Sequence, residues 1–284
     1  MIESGRPIGR RLASLAGGAG CYALLGVLAA IALVPTVWVM VSSLKTGAQI
    51  YSGSSLVPRP LTFQGYRDSF GQIHLQHFVF NSLLYAVCGT LGALTTALLA
   101  AYPIARFRFP FRDGVAGMFS LALAVPVVGL ATPEFFIVRE LGLFDTKLGL
   151  ILFYSALFFP LSFVILRAFL LSLPAETEEA AMVDGAGYLT ILTRVVIPLA
   201  RPGLATVAVV VFIGIWNEFF FANLFTASLG NQNVQLALAS FRSQFGFNVT
   251  GTLASATLIM LVPILAFLVL QRQVISGLTA GASR

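Results

Sequence analysis

Histidine, cysteine and lysine occur only twice each in this 284-residue chain, and charged side chains make up just 10% of it. Each scarcity excludes a class of chemistry. His74 and His77 stand together at the edge of an apolar run, with no cysteine or paired carboxylates nearby, so they read as interfacial side chains and not as metal ligands. Cys21 and Cys88 fall inside apolar runs, where a thiol serves as a small packing residue and no disulfide is implied. Neither Lys45 nor Lys147 follows a glycine, so the Gly-Lys-Ser/Thr core of a phosphate-binding loop cannot be written anywhere. No Gly-x-Ser-x-Gly elbow is present, and no histidine lies deep enough to activate a buried serine. An enzyme is not expected, and neither a metal nor a cofactor is expected in the chain itself.

What the chain has in abundance is apolar length. Hydrophobic residues make up 58% and the mean hydropathy is +0.91, well outside the soluble globular range. A bilayer core about 30 Å thick needs about 20 residues at 1.5 Å each. Six runs meet or approach that length, at 20–42, 79–104, 115–137, 148–171, 203–225 and 252–270. Unpaired backbone groups are not tolerated in lipid, so each run is expected to be helical. The fold class is therefore an all-α polytopic membrane protein with six transmembrane helices, read as one domain over residues 1–284. With both termini in the cytoplasm, eleven of the Lys and Arg residues fall inside and six outside, the expected bias. The net charge of +6 follows from this topology and from anionic headgroups, not from nucleic acid.

Three longer connections remain: an outer loop at 43–78, an inner loop at 172–202 and an outer loop at 226–251. In the first, an aromatic amphipathic stretch from Phe63 to Phe70 predicts a surface helix. Pro35, Pro103, Pro126, Pro133, Pro160 and Pro263 sit inside or beside five of the runs. They fit equally a packing role or a set of bent helices around a cavity.

The inner loop is the most informative segment. Leu173-Pro174 ends the fourth run, and Glu176, Glu178 and Glu179 then crowd one turn, where acids complement the exposed N–H groups of a helix start. Ala180 and Ala181 keep the surface low enough for another protein to approach, and Asp184-Gly185 offers a stop or bend before Ala186. On these residues alone, a docking site for an outside protein and an ordinary interfacial helix both remain open.

These residues resemble a known family. Glu179-Ala180-Ala181, Asp184-Gly185-Ala186, Ile197-Pro198-Leu199 and Pro202 are similar to the signature loop of bacterial ABC-importer permeases, with Leu192 where an aromatic is usual. Asn81-Ser82-Leu83, Gly89-Thr90, Ala100-Ala101-Tyr102 with Ala105-Arg106, Gly142 to Thr146, and Trp216 to Phe219 resemble the carbohydrate (maltose-type) branch, as does the end from Gln271. The likeness runs from about residue 20 to residue 284. It implies a type I ABC-importer permease in a bacterial inner membrane. The implied partners are a second permease subunit, two copies of an ATP-binding subunit that hold ATP and Mg, and an extracytoplasmic substrate-binding protein. It makes the inner loop the coupling helix, with Glu178, Glu179, Ala180, Ala181, Asp184, Gly185 and Ala186 at the ATPase contact.

A second constellation concerns the cargo. Glu218 is the only charged residue well inside the fifth run, and an acid at that depth faces a cavity or a partner. Beside it, Trp216 is suited to stacking on a sugar ring, and Asn217 and Asn223 to hydrogen-bonding hydroxyls. Asn81 and Glu134 are further candidates for the substrate path. The alternative for this group is an interfacial Trp216 and a Glu218 paired with Arg139 or another inter-helix donor. The expected cargo is a di- or oligosaccharide or a related sugar compound. The rival expectation, an ion-gradient-driven secondary transporter, needs more midplane ionisable groups than Glu218 supplies.

Overall fold

The computed structural model describes residues 8–53, 56–71, 74–240 and 248–282, and the described residues are helices and short turns without a strand. Chain contacts group into two units, residues 1–72 with 248–257 and residues 73–247 with 258–284.

The first unit opens with α1 (Ile8–Ser42), whose stretch Gly20–Ser42 has a mean hydropathy of 2.5 and is unburied until Ser42. A helix this apolar and this bare is built to lie against lipid or another membrane helix. Helix α2 (Gly47–Ser52) starts at a reciprocal cap between Thr46 and Gln49 and stops at Gly53 in the left-handed conformation. The amphipathic stretch predicted at 63–70 is α3 (Gln64–Gly71). Ser69 bonds Gly65 at 2.7 Å and Ser255 at 2.8 Å, while Asn248 donates to Asp68 at 3.0 Å. A Cβ on Gly65 would lie 2.5 Å from the Thr250 carbonyl oxygen, so only glycine permits this approach.

The second unit is organised around α4 (Leu75–Arg106). It continues through α5 (Arg112–Leu121), α6 (Ala131–Glu140), α7 (Lys147–Leu157) and α8 (Phe159–Ser172). The segment between α8 and α12 then holds α9 (Glu176–Val183), α10 (Tyr188–Ile191), a π turn at Leu192–Val196 and α11 (Ile197–Leu199). Helices α12 (Arg201–Trp216), α13 (Phe220–Phe225) and α14 (Val234–Ser240) follow, and α15 (Val249–Ala282) belongs to the first unit up to Thr257 and to the second from Leu258. Helix α4 packs on α7, α8 and α12. Its buried stripe of Ala86, Gly89, Ala93, Ala97 and Ala101 supplies the small residues that let membrane helices come close. At Gly89 a Cβ would lie 2.8 Å from Ile215 Cδ1 and 3.2 Å from Tyr154 Cβ.

The expectation of one helix per apolar run needs correcting. Three helices, Gly20–Ser42, Leu75–Arg106 and Val249–Val269, are long and apolar enough to cross alone. Three further helix pairs reach that length and apolarity only together and are bent: α5 with α6 at 88°, α7 with α8 at 44°, and the Tyr188–Leu199 segment with α12 at 74°, the first arm of this last pair preceding the fifth apolar run. The fifth run is interrupted again at Asn217–Phe219, before α13. Pro126 sits at the sharpest break and Pro160 and Pro202 begin the segments after the other two, where a missing N–H costs nothing. Pro35, Pro103 and Pro263 lie within continuous helices, so proline alone does not decide a break.

Between α4 and α5 the chain turns in five residues. Phe111 closes that turn at φ 63°, a left-handed conformation that costs a bulky side chain about 1–2 kcal/mol.

Candidate coupling surface and substrate path

Helix α9 begins with Glu176, Glu178 and Glu179 in its first turn, where carboxylates offset the unpaired N–H groups. It ends because Gly185, at φ 80°, turns the chain away while Gly185 N bonds Met182 O at 3.0 Å and Ala186 N bonds Ala181 O at 2.9 Å. The expected bend at Asp184-Gly185 is thus a left-handed glycine stop.

The acidic residues of this turn divide into two roles. Glu179 is exposed, with Ala180 and Asp184, and Ala181 and Ala186 are half-buried. Glu178, grouped with them as an ATPase contact, is instead buried and faces inward. Its Oε1 accepts from Arg106 Nε at 2.7 Å and its Oε2 from the Tyr102 hydroxyl at 3.1 Å, while Arg106 also donates to the Leu173 carbonyl at 3.2 Å. A buried carboxylate persists only when paired and fully bonded. Glu178 is therefore the tie between α9 and the inner end of α4, not part of the outward surface.

That outward surface is more apolar than its sequence suggested. Val183 is 88% exposed, Leu189 74%, Tyr188 61% and Met182 43%. Apolar side chains exposed beside the carboxylates of Glu179 and Asp184 form the type of patch that another protein covers. Alanine and glutamate drew attention in the sequence; Val183 and Leu189 are the residues it left out, because periodicity cannot tell which face of so short a helix is buried.

The second constellation lies where the fifth span unwinds. Trp216 is 1% exposed and stacked on Phe212 at 6.2 Å, so it has no free face for a sugar ring. Glu218 is half-buried and does not pair with Arg139; the inter-helix donor that the alternative reading also allowed is Tyr154 of α7. Its carboxylate accepts the Tyr154 hydroxyl at 2.7 Å, Phe221 N at 2.8 Å and Ala222 N at 2.9 Å. It therefore caps the start of α13, filling the donors left when the helix breaks. Around it Asn217 and Asn223 are exposed, Phe219 is 44% and Phe220 41% exposed. The aromatic surface at the break thus belongs to Phe219 and Phe220. Glu134, in the first turn of α6, is half-buried and its Oε2 has no hydrogen-bond partner among the described residues.

Asn81 is fully buried, and its Nδ2 donates to the carbonyls of Gly230 and Gln232, both at 2.9 Å. It fixes the outer loop in place of lining a path. Tyr85 donates to the Asn231 carbonyl at 2.7 Å, and Val234 N to the Ser82 hydroxyl at 2.8 Å. Asp145 completes this clasp. Its Oδ1 accepts from Ala227 N at 3.0 Å, Ser228 N at 3.1 Å and the Ser228 hydroxyl at 2.9 Å, with Asn231 Nδ2 at 3.2 Å. Burial pushes its pKa up, yet these donors outweigh burial and hold it below the ordinary aspartate value. Arg242, Ser243 and Gln244, expected in the same outer loop, lie outside the described residues.

Unbroken and bent apolar helices, joined by a segment that presents an acidic helix at its surface, are the make-up of an integral membrane protein. Residues 92–279 match the family of binding-protein-dependent transport system inner membrane components, and the chain belongs to that family. It is a non-enzymatic permease of the inner membrane. It is 36% identical over 253 residues to the trehalose transport system permease protein SugB of Mycobacterium tuberculosis, covering 88% of this chain and 92% of that one. It is 34% identical over 267 residues to the trehalose/maltose transport system permease protein MalG of Thermococcus litoralis, covering 90% and 93%. Identity to the diacetylchitobiose uptake system permease protein DasC of Streptomyces coelicolor is 33% over 249 residues, covering 87% and 90%. Among solved structures, a chain of a bacterial ABC transporter involved in the import of the acidic polysaccharide alginate superposes with a TM-score of 0.80 at 24% identity, covering 95% of this chain and 99% of that one. That likeness establishes the type I importer fold.

Proposed function

We propose that the chain is a permease subunit of an ATP-driven importer for a di- or oligosaccharide or a related sugar compound. It forms the translocation path with a second permease. Two copies of an ATP-binding subunit supply ATP hydrolysis with bound Mg, and an extracytoplasmic binding protein delivers the cargo. The trehalose, maltose and diacetylchitobiose named for its relatives support the sugar assignment.

The observation that carries the coupling role is α9. It is tied to α4 through Glu178, Arg106 and Tyr102 while Glu179, Ala180, Val183 and Leu189 stand clear of the chain. A helix held rigidly at its base and bare at its tip transmits force. Movement of an ATPase cleft that grips the tip passes through a buried ion pair into the longest helix of the second unit. Leu192, in the π turn behind the tip, is buried and backs this lever.

Passage of cargo is assigned to the break around Glu218. Asn217, Asn223, Phe219 and Phe220 combine amide groups with aromatic edges, the chemistry that binds hydroxyl-rich rings. Glu134 is the second polar group offered to it.

The test is binding-protein-stimulated ATP hydrolysis by the whole complex in proteoliposomes. Gly185→Val and Val183→Asp leave the chain inserted and cut stimulation to the basal rate. Normal stimulation in both variants would refute the docking surface.

A further inference from the structure

The connection between α4 and α5 carries a feature that transport does not use. It is only five residues long, Phe107 to Phe111, and joins the arginine end of one span to the start of the next. A link this short cannot leave the cytoplasmic face of the bilayer. Within it Arg108 and Phe109 are exposed, and Phe111 is 86% exposed while held at φ 63°. With Arg112, Asp113 and Gly114 these residues enclose an open cavity of about 500 Å³.

The charges around this cavity do not cancel. Among the described residues, Asp113 engages only the Nε of Arg112, at 3.2 Å, and Arg108 makes no hydrogen bond or ion pair. Phe107 is occupied elsewhere, edge-on to Tyr102 at 5.7 Å and Tyr188 at 5.1 Å. The exposed phenyl ring of Phe111 thus stands beside two guanidinium groups at headgroup depth. Guanidinium forks suit phosphate oxygens, and an aromatic ring at that depth partitions into the acyl boundary. Both demands meet in one molecule, a phospholipid of net negative charge.

We propose that Arg108, Arg112 and Phe111 form a binding site for an anionic phospholipid of the cytoplasmic leaflet, with the arginines on the headgroup phosphate and the ring against its acyl chains. The left-handed turn at Phe111 aims the ring away from the protein, which accounts for a conformation that a bulky residue otherwise avoids. The proposal stands independently of cargo and of ATPase docking.

It is tested on the full chain with its co-purifying subunits, in phosphatidylcholine vesicles with and without phosphatidylglycerol. A photoactivatable phosphatidylglycerol probe and its phosphatidylcholine counterpart are compared by mass spectrometry of peptides spanning residues 107–114. The phosphatidylglycerol probe labels this loop and the neutral probe does not. Arg108→Gln and Arg112→Gln each lower labelling about fivefold, the change expected per cationic side chain at an anionic surface. Asp113→Asn raises it. Phe111→Gly fits the left-handed turn, so it preserves thermal stability and still reduces labelling. Equal labelling by both probes, or arginine variants that label like the parent, overturns the site. Loss of labelling to competing inorganic phosphate means a free-oxyanion site and overturns the lipid assignment. Labelling that emerges only when the ATP-binding subunits are stripped away marks a protein contact and overturns it too.

Discussion

At the scale of single residues, Glu178 shows how one carboxylate fixes a functional element. Its pairing with Arg106 is buried, with 6% of the Glu178 side chain and 12% of the Arg106 side chain exposed. Removing one member strands the other. Arg106→Ala is expected to cost about 3–5 kcal/mol, read as a loss of thermal stability in detergent. Arg106→Met with Glu178→Leu should recover most of that stability, because an apolar pair leaves no orphaned charge. Gly185→Val acts differently, forcing a β-branched residue to φ 80° at a cost of about 1–2 kcal/mol, and its main effect is on coupling. Little of this was legible beforehand. The turn of acids and the glycine stop could be read from spacing, since helix ends follow local rules. That Glu178 points inward while Glu179 points outward could not, because it depends on an arginine 72 positions away.

At the scale of elements, Glu218 and Asp145 each hold together segments that the backbone alone leaves open. Glu218→Ala removes three acceptor contacts at the start of α13 and is expected to destabilise by about 2–4 kcal/mol, given about 1–3 for the lost cap and stranded donors plus the Tyr154 hydroxyl. The readout is thermal unfolding, with Glu218→Gln intermediate. Asp145 makes a pH prediction. Its pKa is lowered on folding from 3.8, so the native state prefers the ionised form. The clasp on the outer loop is therefore fully present above the ordinary aspartate range and is lost as pH falls through the lowered value. Hydrogen exchange of the Ala227 and Ser228 amides should be slow and constant at neutral pH and quicken only in strong acid, after correction for intrinsic rates. Asp145→Asn should show quick exchange throughout. An unpaired run of hydropathy explains why the spans were legible and their breaks were not. Proline marks the α5–α6 and α7–α8 breaks and lies within unbroken helices at Pro35, Pro103 and Pro263, and only tertiary packing separates the cases. The same limit misplaced Trp216, whose position in the run gave its depth but not its facing.

At the scale of the whole molecule, the chain is one part of a machine. Its apolar surfaces, the bare α1 in the first unit and, in the second, Leu121 at the end of α5 (70% exposed) and Val128 in the turn before α6 (61% exposed), are suited to lipid and to a second permease. The exposed face of α9 and α10, with carboxylates beside Val183 and Leu189, is suited to a water-soluble protein. On the proposed function, the α9–α10 segment grips an ATP-hydrolysing subunit through Glu179 and Val183 of α9 and Leu189 of α10. The most direct measurement is affinity purification of the full chain in mild detergent from its native membrane, with mass spectrometry of the retained subunits, run beside the Val183→Asp, Leu189→Asp double variant. The account predicts that the parent chain retains an ATP-hydrolysing subunit and a second permease, and that the variant keeps the permease and loses the ATP-hydrolysing subunit. A parent chain recovered alone, folded and stable, or a variant that retains the same ATP-hydrolysing subunit in full, would contradict it.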